Sequence, residues 1–485
     1  MQLFQHSGAS TLYSLSRVST STADIKMDNR ILITDEGQVE EPITFDWLHQ
    51  PPPVYRINLS LPPSERYTEL ARLYRDRMRS VRSIFDELLI ALSPKIPVKV
   101  VHWIARVFLH GLSTREETEE LQGISRATDI DIYLLVCFNT GLDLLMGCTS
   151  GGVRTINGSE TKMLHFRTLD WGMEKLRSLV VQLEFVRNEN PQQVLATSVT
   201  YVGFVGVLTG VRKDLSLSLN FRPTHESSNK FSFYLNHILV LLGKRPSVSS
   251  LLRQCLFSFE PKSRRSGSRL TLHSLDDIVI NMPKQPSTAA YLIFSDGQRT
   301  VTMEKDVNSA FTRSDTQFIV ITNNDQDSDS TPLEDRVDNK LKSNERLALI
   351  SQEEFTLQDL IEDSKARRAC MQDRWDAKTK ESRRTQSKSL SEERSEEDHI
   401  PRPGVRSSLR LRQRAAKRQK QANLEMNALS GDIAISEVAI TPQEALQWLT
   451  TYPVVNEDTH YAALMDPAEG KIIWVSQYYP DQITL

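Results

Sequence analysis

Around Met146-Gly147-Cys148-Thr149-Ser150-Gly151-Gly152 the hydrophobic pattern of this chain changes period. Upstream, Leu70, Leu73, Met78, Val81, Phe85, Leu88 and Leu89 recur at helical spacing. Downstream, residues 162–169, 178–187, 193–200, 204–209 and 215–220 form short β-branched or alternating runs. Turn signals such as Asn157-Gly158 and Asn188-Glu189-Asn190-Pro191 separate them. A chain divided in this way folds as a helical segment leading into a sheet-rich α+β body. The residue at the division is a cysteine.

Residues 1–45 read as a polar, disordered leader, and Pro51-Pro52-Pro53 as a stiff entry to the folded part. Val54–Leu59 alternates like a strand. Ser64 then caps a helix running to about residue 92, which Pro94 and Pro97 stop. Helices follow near 98–110, near 113–125 behind the capping pair Ser113 and Glu116, and near 129–144. Residues 46–147 thus form a helical N-terminal domain. The body resumes with helical stretches at 230–257 and 274–283 and strands at 290–295, 299–304, 317–322, 459–465 and 471–476. It comprises residues 148–345 and 426–485. Between its two parts, residues 345–362 suggest one helix. Residues 364–425 are dominated by Lys, Arg, Glu, Ser and Gln, too few apolar groups to offset ordering entropy. They read as a disordered insertion or a charged, exposed helix. The basic run Arg412–Lys420 raises nuclear import or acidic-lipid binding, but a solvated insertion explains it more simply.

A net charge of −3 gives no reason to expect nucleic acid. No stretch approaches the roughly 18–20 apolar residues of a membrane span, and residues 1–30 contain no apolar run of signal-peptide length. A cytosolic location is the resulting expectation. The cysteines at 137, 148, 255 and 370 include no close CxxC pair, so neither a zinc site nor a disulfide framework is expected, and no cofactor is called for.

A cysteine after a helical apolar run is ordinarily a small buried hydrophobe. The setting of Cys148 points elsewhere. A Gly-Cys bond among small and hydroxyl residues suits a tight turn in which the thiol attacks its own preceding carbonyl. Hydrolysis of that thioester would leave Cys148 as a new N-terminus, carrying a nucleophile and, in its own α-amine of reference pKa near 8, a base. Arg167, in Leu164–Gly172, would favour the thiolate, and Asp170 would orient the amine. Alone, the two also fit an ordinary surface ion pair. Asn323, at the end of a predicted strand, offers an amide donor for an oxyanion, although Asn323-Asn324-Asp325 also reads as a turn. Gly203–Gly206 lacks the Lys and helix of a phosphate loop, and His102 and His110 stand eight residues apart with no third ligand.

Taken in order, Tyr55–Pro63, Cys148-Thr149-Ser150, His165–Gly172, Tyr201–Gly210, Leu219–Arg222, Thr322–Asp325, Asp335-Arg336 and Pro453–Asn456 resemble the acid ceramidase and N-acylethanolamine acid amidase family. These are N-terminal-nucleophile hydrolases related to choloylglycine hydrolases. The resemblance implies a four-layer αββα fold. It implies cleavage at Gly147–Cys148 into associated fragments 1–147 and 148–485. It also implies Cys148 as nucleophile, Arg167 and Asp170 as positioning groups, Asn323 as oxyanion donor and Arg336 as a supporting residue. The expected substrate is ceramide, with another N-acyl amide such as an N-acylethanolamine as the alternative, and with peripheral contact to a lipid surface. A non-catalytic lipid- or protein-binding relative is the rival from another class. Two departures stand out. Phe221 occupies a position that is acidic in acid ceramidase, and the family's lysosomal setting contrasts with the missing signal run.

Overall fold

The computed structural model describes residues 48–80, 83, 97–141, 147–188, 190–223, 230–257, 274–326, 357–397 and 438–479. The predicted leader, Arg336 and the basic run Arg412–Lys420 lie outside them.

The N-terminal segment opens with strands β1 (Leu48–Gln50) and β2 (Val54–Asn58). Short helices α1 (Pro63–Arg66), α2 (Thr68–Leu73) and α3 (Arg75–Ser80) follow. Then come α4 (Val98–Phe108), α5 (Arg115–Thr128) and α6 (Ile132–Gly141). The cap of α5 is Thr114, whose hydroxyl accepts from Glu117 N at 3.2 Å, one residue beyond the expected pair.

The body begins with the hairpin β3 (Gly147–Asn157) and β4 (Glu160–Asp170). It continues through β5 (Val180–Val186), β6 (Ala196–Tyr201), β7 (Thr209–Arg212) and β8 (Leu215–Phe221). Helices α7 (Lys230–Leu241), α8 (Val248–Leu256) and α9 (Leu275–Asn281) lead to β9 (Ala290–Ser295), β10 (Thr300–Lys305), β11 (Ala310–Asp315) and β12 (Phe318–Ile321). A long helix α10 (Leu357–Glu397), α11 (Pro442–Leu449), β13 (Thr459–Asp466) and β14 (Lys471–Tyr479) complete it.

The strands form two sheets, one ordered β1-β14-β13-β4-β3-β12 and the other β11-β10-β9-β8-β7-β6-β5-β2. They pack face to face through β3 and β4 against β8 and β9. Helices α10 and α11 cover the outer face of the first sheet, and α8 covers the second. The fold is therefore α+β in four layers, helix, sheet, sheet, helix. The larger core, with Leu169, Leu217, Leu219 and Leu292, includes the space between the sheets. A smaller one, with Phe166, Phe318, Trp375 and Trp448, lies beneath α10 and α11. The N-terminal segment is not purely helical, because β1 pairs with β14 and β2 runs parallel to β5.

Three local expectations differ. The turn anticipated at Gly147-Cys148 is regular strand, with Gly147 opposite Asp170 and Cys148 opposite Leu169. Its glycines serve close approach rather than turning. A Cβ on Gly151 would lie 2.0 Å from the Ile319 carbonyl oxygen, and one on Gly152 would lie 1.9 Å from Thr300 Oγ1 in the other sheet. The strand expected at 204–209 is a loop through Leu208, and β7 begins only at Thr209: Gly203 has φ +94°, and Asn139 bonds both Gly203 O and Val205 N, holding the backbone off the sheet. Finally, the described part of the charged segment 364–425 belongs to α10. Its apolar Met371 and Trp375 are buried, which anchors its first turns to the first sheet.

Candidate active site

Side chains alternate across a strand, so the neighbours of Cys148 divide between two faces of β3 and β4. The Cys148 thiol points between the sheets, 3.9 Å from the Leu219 carbonyl oxygen, and is fully buried. Arg167, opposite Ser150, shares this face. Asp170 lies three residues on and therefore projects to the opposite face, toward α10. The three-residue spacing thus places the two on opposite sides of one sheet, both near the start of β3.

Asn220 on β8 organises the inner side. Its Oδ1 accepts from Ser150 Oγ at 2.7 Å and from Arg167 Nη1. Arg167 Nη1 also reaches Ser150 Oγ at 3.1 Å. The other two Arg167 nitrogens, Nε and Nη2, are buried without a hydrogen-bond partner. Burial pushes the Cys148 thiol pKa up, whereas Arg167 and Arg367 draw it down and Asp170 adds to the rise. Nearby, His165 is held between Ser216 and Ser218 (2.8 and 2.9 Å), and burial lowers its pKa to about 3, so it stays neutral.

At the strand start, Cys148 N donates to Asn323 Oδ1 at 2.7 Å. Asn323 follows β12, which pairs with β3, and this pairing brings it level with Cys148. Its Nδ2 donates to Phe221 O at 2.8 Å. Phe221, the expected departure, therefore meets the site through its backbone. The next residue, Arg222, grips Asp325 with two bonds of 2.8 and 2.9 Å.

On the outer side Asp170 is buried. Its Oδ1 accepts from Thr459 Oγ1 at 2.7 Å and its Oδ2 from Arg367 Nη1 at 3.1 Å. Burial raises its pKa to about 6 against the lowering influence of Arg367 and Thr459. Arg367 also donates to Thr149 Oγ1 and Asn323 Oδ1, both at 3.2 Å, and its Nε binds Asp363 at 2.9 Å. Ser364, one turn earlier on α10, accepts from Asn323 N at 2.7 Å.

The structure thus assembles Cys148, Arg167, Asp170 and Asn323. Gly147 stands at the strand start, opposite Asp170, and Arg336 lies outside the described residues. Sequence reasoning missed Ser364 and Arg367, which fell within a segment read by composition. The available signal was Ser364, Arg367 and Met371 at i, i+3 and i+7, one face of a helix.

A family model described as the beta subunit of N-acylethanolamine-hydrolyzing acid amidase matches residues 50–112. Acid ceramidase of Bos taurus is 30% identical over 189 residues, covering 36% of this chain and 46% of that protein. Acid ceramidase of Rattus norvegicus is 33% identical over the same 36% and 46%. For acid ceramidase of Homo sapiens the values are 29% identity, 40% and 50%. The chain spans about half the length of these curated relatives. A solved structure of a Caenorhabditis elegans N-acylethanolamine-hydrolyzing acid amidase ortholog superposes with a TM-score of 0.36 at 17% identity, over 66% of this chain and 93% of its own. The sequence matches, with the motifs that surround Cys148, make this chain similar to acid ceramidases and, over residues 50–112, to the beta subunit of N-acylethanolamine-hydrolyzing acid amidase.

Proposed function

We infer that this chain is a lipid amidase that cleaves the N-acyl amide of ceramide after cutting itself at Gly147–Cys148. The observation that carries this reading is the bond from Cys148 N to Asn323 Oδ1 at the start of β3. The nitrogen that would become the catalytic amine is already held by a fixed acceptor.

In self-cleavage, Cys148 Sγ attacks the Gly147 carbonyl carbon and the peptide C–N bond breaks. The acyl group passes from nitrogen to sulfur, and the nitrogen becomes an amine. Water then hydrolyses the thioester, leaving a Gly147 carboxylate and a free Cys148 thiol and α-amine. In turnover, the same thiol attacks the amide carbonyl of the lipid while the α-amine takes the thiol proton and passes it to the leaving sphingoid amine. Water, deprotonated by the α-amine, hydrolyses the acyl-thioester and releases the fatty acid.

The unpartnered Nε and Nη2 of Arg167 support a role in stabilising negative charge on sulfur or on the carbonyl oxygen. Asn323 as oxyanion donor would use Nδ2, now bonded to Phe221 O, so that bond must be exchanged as charge develops. Arg336 is proposed as a supporting residue on the family resemblance alone.

Peripheral lipid contact is supported by Val100, Trp103, Ile104, Val107 and Phe108, all exposed on α4, with Trp103 65% exposed. No helix among the described residues is long and apolar enough to cross a membrane. Association of the two fragments after cleavage is supported by β1 and β2, which carry residues of the first fragment into both sheets of the second.

Substrate assays test the reading. Purified protein is given ceramide and N-palmitoylethanolamine at acid and neutral pH, and released fatty acid is measured. Faster release from ceramide is expected. Preference for the ethanolamide would move the assignment to N-acylethanolamines, and release from neither by a chain cleaved at Cys148 would refute a lipid amidase of these two classes.

A further inference from the structure

Arg367 is fully buried and touches three residues gathered around the start of β3, one each from β3, β4 and just past the end of β12. Its Nη1 bonds Asp170 Oδ2 and Thr149 Oγ1, and its Nη2 bonds Asn323 Oδ1. The same Asn323 oxygen accepts from Cys148 N. One guanidinium thus links the carboxylate to the acceptor of the nitrogen that scission would free. Such a link needs a planar fork with several donors, which arginine has and lysine lacks.

The rest of α10 is built to hold it there. Ser364 accepts from Asn323 N at 2.7 Å, donates to Asn324 Oδ1 at 2.8 Å and shares a hydroxyl contact of 2.9 Å with Thr322 Oγ1. Asp363 binds Arg367 Nε, and Met371 and Trp375 seat the following turns in the core beneath the helix. These residues come from a stretch whose composition reads as solvated filler.

We propose that, with Cys148 as the N-terminal nucleophile, Arg367 on α10 is the positioning residue that fixes Asp170 and Asn323 around the Cys148 nitrogen for self-cleavage and turnover. The charged segment is then a working part of the site. Several groups act on Asp170 besides Arg367: Asp363 on α10, Asp458 ahead of β13, Cys148 on β3, Arg167 on β4, Arg177 from the 3-10 turn before β5, and Tyr478 on β14. Of the three arginines, Arg367 is the one hydrogen-bonded to the Asp170 carboxylate, so its loss should be felt first there.

The experiment follows self-cleavage of the full chain by intact mass between pH 4 and 8 in wild type, Arg367→Met and Arg367→Lys, with thermal melting as the folding check. Arg367→Met fills the same space without charge. It is expected to slow cleavage by about tenfold or more and to move the acid limb up by about one pH unit. Arg367→Lys keeps the charge but loses the fork, so its limb should stay near wild type while its rate falls several-fold. Wild-type rate and limb in folded Arg367→Met would reduce Arg367 to packing and overturn the proposal. If Arg367→Met does not fold, Arg367→Lys decides, and a wild-type rate there overturns it equally. A wild-type chain with no fragment beginning at Cys148 would instead defeat the N-terminal-nucleophile reading itself, and the role of Arg367 with it.

Discussion

Asp170 shows how burial sets a working range. A raised pKa means that the folded chain holds the proton more tightly than the unfolded one, whose aspartate titrates near 4. Its contribution to stability is therefore fully present below about pH 4 and is lost as pH rises through about 6. Chemistry runs the opposite way, because the ionised carboxylate is the form that accepts from both Thr459 and Arg367. Self-cleavage measured against pH should then rise through a limb near pH 6. Asp170→Asn should remove that limb and leave a low, flat rate, and an unchanged limb would exclude Asp170 as its source. The thiol itself is buried in the uncut chain. A small thiol reagent should accordingly label Cys148 slowly until denaturant is added, and rapid labelling of the folded, uncut chain would contradict this burial.

Strand β3 depends on two glycines that touch different partners. Gly151 faces the Ile319 backbone, which cannot swing aside, while Gly152 faces the Thr300 side chain of the second sheet. Gly151→Ala should destabilise by about 2 kcal/mol or more, as overpacking does. Gly152→Ala should cost less if Thr300 turns away, and paired thermal melts of the two variants check this order. Apolar spacing decides what the sequence makes legible. The helices around Leu121 and Val136 and the strands from β4 to β14 mostly carry clear apolar spacing, and their order is readable from it. Strand β3 is not, because Thr149-Ser150-Gly151-Gly152 has no apolar alternation and owes its extended form to β4 and β12 on either side. Helix α10 escapes for a different reason. A few buried residues among 41 do not alter a composition, yet they include Ser364 and Arg367. The proximity of Asn323 to Cys148 joins positions 175 residues apart, and no local pattern encodes it.

Taken as a whole, the molecule is stitched across its proposed cut. Besides β1 and β2, Glu120 of α5 reaches across it to Arg253 of α8 through two buried bonds of 2.6 and 2.8 Å, and within its own fragment it also holds Arg66 of α1 at 3.0 Å. Glu117 adds a bond to Ser250 at 2.7 Å. Removing Glu120 would leave two guanidinium groups short of their shared partner. Glu120→Ala should therefore cost about 3–5 kcal/mol, the range for breaking a buried ion pair. Native mass spectrometry of cleaved wild type should find both fragments in one particle that separates only on denaturation. Fragments that part under native conditions would contradict the joint sheets. The central claim is that Cys148 becomes an N-terminus, and the most direct measurement is the intact mass of purified wild type beside Cys148→Ala. The account predicts a fragment beginning at Cys148 in wild type and an uncut chain in the variant. A wild-type chain that stays full length while hydrolysing N-acyl amides, or a variant cut at the same bond, would contradict it.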